Sequence, residues 1–192
     1  MRVVLSGLAL VACLLAGFLY VEETQPSWYA RLRYPLEYEH ILRGHAEQYD
    51  LDAALLAAVV YRESKFDPDA RSSSGAIGLM QLLPGTAEGI ALFTGGTRFE
   101  VDDLYDPEIN VRYGSFYLRR LLNKYEDERL ALAAYNAGQA NVDRWLGEGG
   151  GIRFAETREY VEGVLEARDV YARVYEDELG LGLGLGLGLG AP

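Results

Sequence analysis

The sequence predicts an all-α domain, and three observations carry that expectation. Apolar side chains recur at helical spacing in most segments after residue 36. Helix openings and stops alternate along the chain: Asp52, Asp106-Pro107-Glu108, Gly95-Gly96 and Asn136-Ala137-Gly138. No stretch alternates like a β-strand over a useful length except a Leu/Gly tail at residues 179–190. With 192 residues, 49% hydrophobic and 24% charged, the chain has room for one domain of about 140 residues plus appendages. Composition divides it into an apolar N-terminal segment (1–21), a linker (22–35), a helical domain (36–178) and a low-complexity tail (179–192).

The N-terminal run Val3–Val21 carries no charge and is 19 residues long, about the length that crosses a bilayer as a helix. Arg2 precedes it and Glu22-Glu23 follow it. That polarity keeps the N-terminus in the cytoplasm and puts everything after Val21 outside. An uncleaved anchor fits best. A cleaved signal peptide would need an Ala-x-Ala site, which is missing at the end of the run. A lipoprotein signal would use Leu10-Val11-Ala12-Cys13, but the chain stays apolar for eight residues beyond Cys13. All three readings export the domain. The linker carries Pro26, Pro35 and a Trp28-Tyr29 pair.

Residues 37–49 form a helix with an apolar stripe at Tyr38, Ile41, Leu42, His45 and Tyr49. Asp52 caps the next helix. Its residues Ala53–Tyr61 are apolar on every side, which predicts the central buried helix. Pro84 opens a short helix to about Leu92, which Gly95-Gly96 ends. Asp106-Pro107-Glu108 combines a cap, a proline at the first position and an acid in the first turn; its helix runs to Tyr125. An alanine-rich helix from Arg129 to Tyr135 stops at Asn136-Ala137-Gly138, and Asn141–Leu146 forms a short one. The last helix runs from Glu156 to Leu179. Glycine at every second place then makes regular structure costly, so residues 179–192 are expected to be a disordered tail.

Charge and ligand chemistry exclude several classes. A net charge of −11 argues against nucleic acid, whose phosphates need a basic surface. A single cysteine allows no intrachain disulfide and no Cys-based zinc site. The two histidines, His40 and His45, are five residues apart and not on one helix face, so they are expected to be ordinary helix residues. The stretch Asp67–Ser72 fails as a calcium loop, with Arg71 and Ser72 where an oxygen ligand and a glycine belong. The expectation is therefore no metal, no cofactor and a monomer.

Polar residues begin abruptly at Arg62-Glu63-Ser64, where the dry helix ends. Partial burial and the negative end of the helix dipole both favour a protonated Glu63 carboxyl, able to act as an acid near neutral pH. A polar, glycine-punctuated loop faces it: Ser72-Ser73-Ser74-Gly75, then Gly78-Leu79-Met80-Gln81. A solvated glutamate ending a helix is an equal match to this local pattern.

Four motifs in order break that tie. Glu63-Ser64, Gly78-Leu79-Met80-Gln81, Ala134-Tyr135-Asn136-Ala137-Gly138 and Glu156-Thr157-Arg158-Glu159-Tyr160-Val161 resemble bacterial lytic transglycosylases of the soluble-lytic-transglycosylase (SLT) type. The resemblance covers roughly residues 36–175 and implies a lysozyme-like fold. It implies cleavage of the β-1,4 bond between N-acetylmuramic acid and N-acetylglucosamine in peptidoglycan glycan strands, leaving a 1,6-anhydro end. It implies Glu63 as sole catalytic acid and base, with Ser72, Met80, Gln81 and Asn136 lining the sugar groove. Tyr135 is similar to the tyrosine that holds the catalytic carboxyl, and Tyr160 to the one that closes the site from the last helix. Ser64 supports the helix end. Leu83 departs from the methionine of many relatives, a swap that conserves volume. The implied place of work is the extracytoplasmic face of the bacterial cell membrane. A hydrolytic muramidase on the same fold and a non-catalytic anchored wall-binding module are the alternatives.

Overall fold

The structure is a computed structural model and describes residues 13–22, 24–96 and 98–182. It forms two units, one up to Pro35 and one from Leu36.

In the first unit, residues 13–22 are helical (α1). A turn at Gln25, with φ +38°, leads through Pro26 into α2, Ser27–Arg33. The supposed linker thus carries a helix of its own. Pro26 at its start has the extended φ/ψ of a cap, and its carbonyl accepts from the amides of Tyr29 and Ala30. Among the described residues no helix is long and apolar enough to cross a membrane; residues 3–12 of the run Val3–Val21 lie outside them.

The second unit is all helical: α3 (Glu39–Gln48), α4 (Ala53–Ser64), α5 (Pro84–Thr94), a 3₁₀ turn (Val101–Tyr105), α6 (Pro107–Tyr125), α7 (Glu128–Ala137), α8 (Gln139–Gly147) and α9 (Ala155–Val174). The centre is α4. Every residue from Ala53 to Val60 is buried, as the all-apolar sequence requires. Asp52 caps it by accepting from the Ala54 amide at 2.8 Å. Asp106 does the same for α6, accepting from the amides of Glu108 and Ile109 at 2.8 and 3.2 Å. Such caps each contribute about 1 kcal/mol and fix where the helix begins. α9 packs most extensively on α4, and α6 packs on α3, α5 and α7.

Two elements end differently from the expectation. α9 stops at Val174, not Leu179. The run Glu176-Asp177-Glu178 would place three carboxylates at the negative end of the helix dipole, and a turn replaces the helix. The tail also begins later than composition suggests. Leu179 is buried, its amide donating to the Tyr175 carbonyl at 2.9 Å, and the Leu181 amide donates to Glu176 O at 2.9 Å. Residues 183–192 lie outside the described residues.

His45 lies in α3 on the stripe expected to be apolar. It is buried, with Nε2 2.9 Å from Glu108 on α6 and Nδ1 3.0 Å from Gln48.

Candidate active site

The last turn of α4 delivers Glu63 to a groove of about 450 Å³. α4 ends there because Lys65 and Phe66 both take positive φ, +53° and +67°. That conformation is uncommon for any residue with a Cβ and an outlier for a bulky one. Phe66 is held in it by burial and by an edge contact to Tyr171 at 6.3 Å between ring centroids. The chain therefore turns sharply just beyond the carboxyl.

Glu63 is half-buried, and the Tyr160 hydroxyl donates to its Oε1 at 2.6 Å. Burial pushes the carboxyl from its ordinary 4.5 up to about 7; the Tyr160 hydrogen bond, and then the Arg62 charge, restrain the rise. The Tyr160 and Tyr135 phenols are both raised well above their ordinary range, first by burial and then by the nearby Glu63 charge. Both remain O–H donors at any pH where the protein works.

Opposite Glu63 lies the loop between α4 and α5, latched from three helices. Ser64 Oγ of α4 donates to the Leu79 carbonyl at 2.8 Å. Asn110 of α6, fully buried, accepts from the Met80 amide at 2.8 Å through Oδ1. Its Nδ2 donates to the carbonyls of Ile77 at 2.9 Å and Leu104 at 2.7 Å. Tyr135 of α7 donates to the Met80 carbonyl at 2.8 Å. Gly78 has φ +77°, and a Cβ there would collide with Asn110 Nδ2 and the Leu104 carbonyl. Only glycine suits both conditions. Within the loop, Gln81 Nε2 donates to the carbonyls of Ala70 and Gly78, each at 3.0 Å, and Ser72 Oγ accepts from the Ala76 amide at 3.0 Å.

Glu63, Ser72, Gln81, Tyr135 and Asn136 all line the groove. Asn136 Oδ1 accepts from the buried Thr157 hydroxyl at 2.9 Å, which ties the end of α7 to α9. Two expectations change. Met80 is fully buried, and a Cβ on Gly114 would strike its sulfur. Its side chain fills the core below the loop, so its expected contact with sugar does not match its placement. The carboxyl contact also shifts: Tyr160 of the last helix, not Tyr135, donates to the Glu63 carboxyl. α9 lies along α4 and brings Tyr160 to the acid, whereas α7 ends beside the loop and aims Tyr135 at Met80 O.

Three further residues belong to the site without being singled out by sequence reasoning. Asn110 had a signal: a polar residue flanked by apolar ones on a helix face that must be buried. Tyr117 lines the groove and packs on Tyr135 at 5.5 Å between ring centroids; in sequence it is one more member of the α6 apolar stripe. Glu156, in the first turn of α9, gives the groove a second carboxylate. A larger hollow, about 720 Å³, lies between α3 and residues 179–181. Size alone therefore does not pick the site; the carboxyl–tyrosine geometry does.

An acid restrained near neutrality in a groove, faced by a latched polar loop, is suited to general acid–base chemistry. Comparison with known proteins narrows it. Residues 41–156 match the family described as Transglycosylase SLT domain. The chain is 34% identical over 155 residues to the soluble lytic murein transglycosylase of Escherichia coli (strain K12), covering 74% of this chain and 24% of the relative. It is 41% identical over 112 residues to the membrane-bound lytic murein transglycosylase F of Yersinia pestis (strain Pestoides F), covering 55% and 21%. Its fold superposes on the 70 kDa soluble lytic transglycosylase of Escherichia coli with a TM-score of 0.72, 31% identity and coverage of 80% of this chain and 27% of that one. An inactive mutant of the lytic transglycosylase Slt of Pseudomonas aeruginosa gives a TM-score of 0.71 at 32% identity, covering 81% and 27%. This chain belongs to the SLT transglycosylase family and has its lysozyme-like fold. It spans about a quarter of the length of those relatives.

Proposed function

We propose that this protein is a peptidoglycan lytic transglycosylase with Glu63 as both acid and base. The observation that carries the reading is the Glu63 carboxyl itself, set in the groove, held by Tyr160 and poised at about 7. A group that must first give and then take a proton works best with a pKa near the operating pH. Protonated Glu63 delivers its proton to the glycosidic oxygen between N-acetylmuramic acid and N-acetylglucosamine. The substrate's own acetamido group stabilises the cationic sugar, so no protein nucleophile is required. The Glu63 carboxylate, steadied by the Tyr160 hydroxyl, then takes the proton of the muramoyl C6 hydroxyl. That oxygen attacks its own anomeric carbon and closes the 1,6-anhydro ring. The attack is intramolecular and gains a large effective molarity over water.

Ser72, Gln81 and Asn136 offer polar groups along the groove. Both Gln81 amide hydrogens are used within the loop, which leaves its carbonyl oxygen to accept from a sugar hydroxyl or amide. Tyr135 and Met80 act through the loop, holding its backbone in place. Val3–Val21 fits a signal-anchor that puts this groove on the extracytoplasmic side, where peptidoglycan lies.

One observation favours a second reading. Glu156 supplies another carboxylate to the groove, and two carboxylates are what a hydrolytic glycosidase uses. Digestion of purified peptidoglycan followed by mass spectrometry separates the two. Transglycosylation gives anhydro-muramoyl ends from the wild type and from Glu156→Gln, and nothing from Glu63→Gln. Products heavier by one water throughout, and lost on Glu156→Gln, would establish hydrolysis. A wild type with no product would leave only a wall-binding module.

A further inference from the structure

We propose that α2 is an interfacial foot, a short helix lying in the headgroup layer of a phospholipid bilayer with Trp28 and Leu32 turned into it. This assignment rests on reading Val3–Val21 as the membrane anchor.

Three observations meet on this helix. Trp28 and Leu32 are four residues apart and share one face, and they are 64% and 77% exposed. A seven-residue helix has too little surface for a stable protein partner, which needs about 800 Å² a side, but two apolar side chains are enough for shallow insertion into lipid. The helix is also tethered. Glu22, the first charged residue after the apolar run, accepts from the Tyr29 hydroxyl and from Arg33 Nη1 at 3.4 Å. Those donors lie near the start and at the end of α2. The whole helix, about 10 Å long, therefore stays within side-chain reach of the residue that closes the run. Where that run leaves the bilayer, α2 sits at the same depth. Finally, its chemistry suits that depth. A Trp-Tyr pair stands near its start, and α2 has no acid to be driven from an anionic surface. Aromatic rings with one polar edge favour the headgroup level. The chain's net charge of −11 opposes long-range attraction to anionic lipid, so the contact is made by apolar insertion once the anchor is in place.

The chain has two tryptophans, and Trp145 is buried against Phe154. The full-length chain carrying Trp145→Phe reports on Trp28 alone. It is reconstituted into phosphatidylcholine/phosphatidylglycerol vesicles and floated on a density gradient. The foot predicts co-flotation, blue-shifted Trp28 emission, loss of most quenching by aqueous acrylamide, and stronger quenching by lipids brominated near the headgroup than near the chain end. Co-flotation with Trp28 still fully quenched by acrylamide overturns the foot and leaves the anchor standing. Failure to float overturns both. Should Trp145→Phe not fold, the wild type compared with Trp28→Ser gives the same readout, since the lipid-sensitive part of the emission must vanish with Trp28.

Discussion

At the scale of single residues, the acid depends on an opposition between burial and one phenol. Burial lifts Glu63, and Tyr160 restrains it by donating to the charged form. Tyr160→Phe removes that donor without removing the ring, so the Glu63 pKa rises beyond about 7. The protonated acid then survives to higher pH. The descending limb of the kcat/KM–pH profile moves to higher pH in Tyr160→Phe and stays near 7 in Tyr135→Phe, whose hydroxyl serves Met80 O. An unmoved limb in Tyr160→Phe would show that the phenol does not set the acid. The polar break after nine apolar residues marked Glu63 in sequence, but it matched a solvated glutamate equally well, and only the four motifs in order singled that residue out. The division of labour between the tyrosines was not legible. Both are aromatic residues in helical motifs, and which one reaches the acid depends on helix packing that no local pattern records.

At the scale of elements, the groove wall is a loop with almost no regular structure, held by side chains from three helices. Asn110 is its main latch, making three hydrogen bonds inside a fully buried pocket. Asn110→Ala leaves the Met80 amide and the Leu104 carbonyl without their partner, while the Ile77 carbonyl keeps the Leu82 amide at 3.1 Å. Each buried group left unsatisfied costs about 1–3 kcal/mol, so urea unfolding should show a loss of about 2 kcal/mol or more, with lytic activity falling as the loop loosens. Gly78→Ala attacks the same latch from the loop side, through strain at φ +77° and collision with Asn110; it should lower kcat/KM in a peptidoglycan turnover assay even where the helices stay folded by circular dichroism. The helices themselves were largely legible, because capping residues such as Asp52 and Asp106 are chemical signals that act within one turn. Two features escaped for physical reasons. α2 is too short to show a period, and the end of α9 is set by carboxylates that weigh against an otherwise continuous apolar stripe.

At the scale of the whole molecule, the site draws on folding free energy in a pH-dependent way. The Glu63 carboxyl titrates at about 7 in the folded chain and near its ordinary 4.5 once unfolded. Below pH 4.5 it is protonated in both states and contributes nothing to the difference. Between 4.5 and 7 the folded state holds the proton that the unfolded state has released, so stability falls as pH rises. Above 7 the carboxylate is charged in both states, and the cost of burying it is at its full value and constant. At about 1.4 kcal/mol for each pH unit between those two values, the ceiling is about 3 kcal/mol, and partial solvent access to the carboxyl brings it to about 1–3 kcal/mol. Glu63→Gln keeps the shape and removes the charge. The variant should therefore match the wild type in stability at about pH 4 and exceed it by about 1–3 kcal/mol at about pH 8, the gap opening between pH 4.5 and 7. Thermal or urea unfolding of both proteins across that range measures the gap directly. A gap that is flat with pH would mean that Glu63 titrates alike folded and unfolded. It could then no longer be the acid poised for two proton transfers, even though its place in the groove would be unchanged.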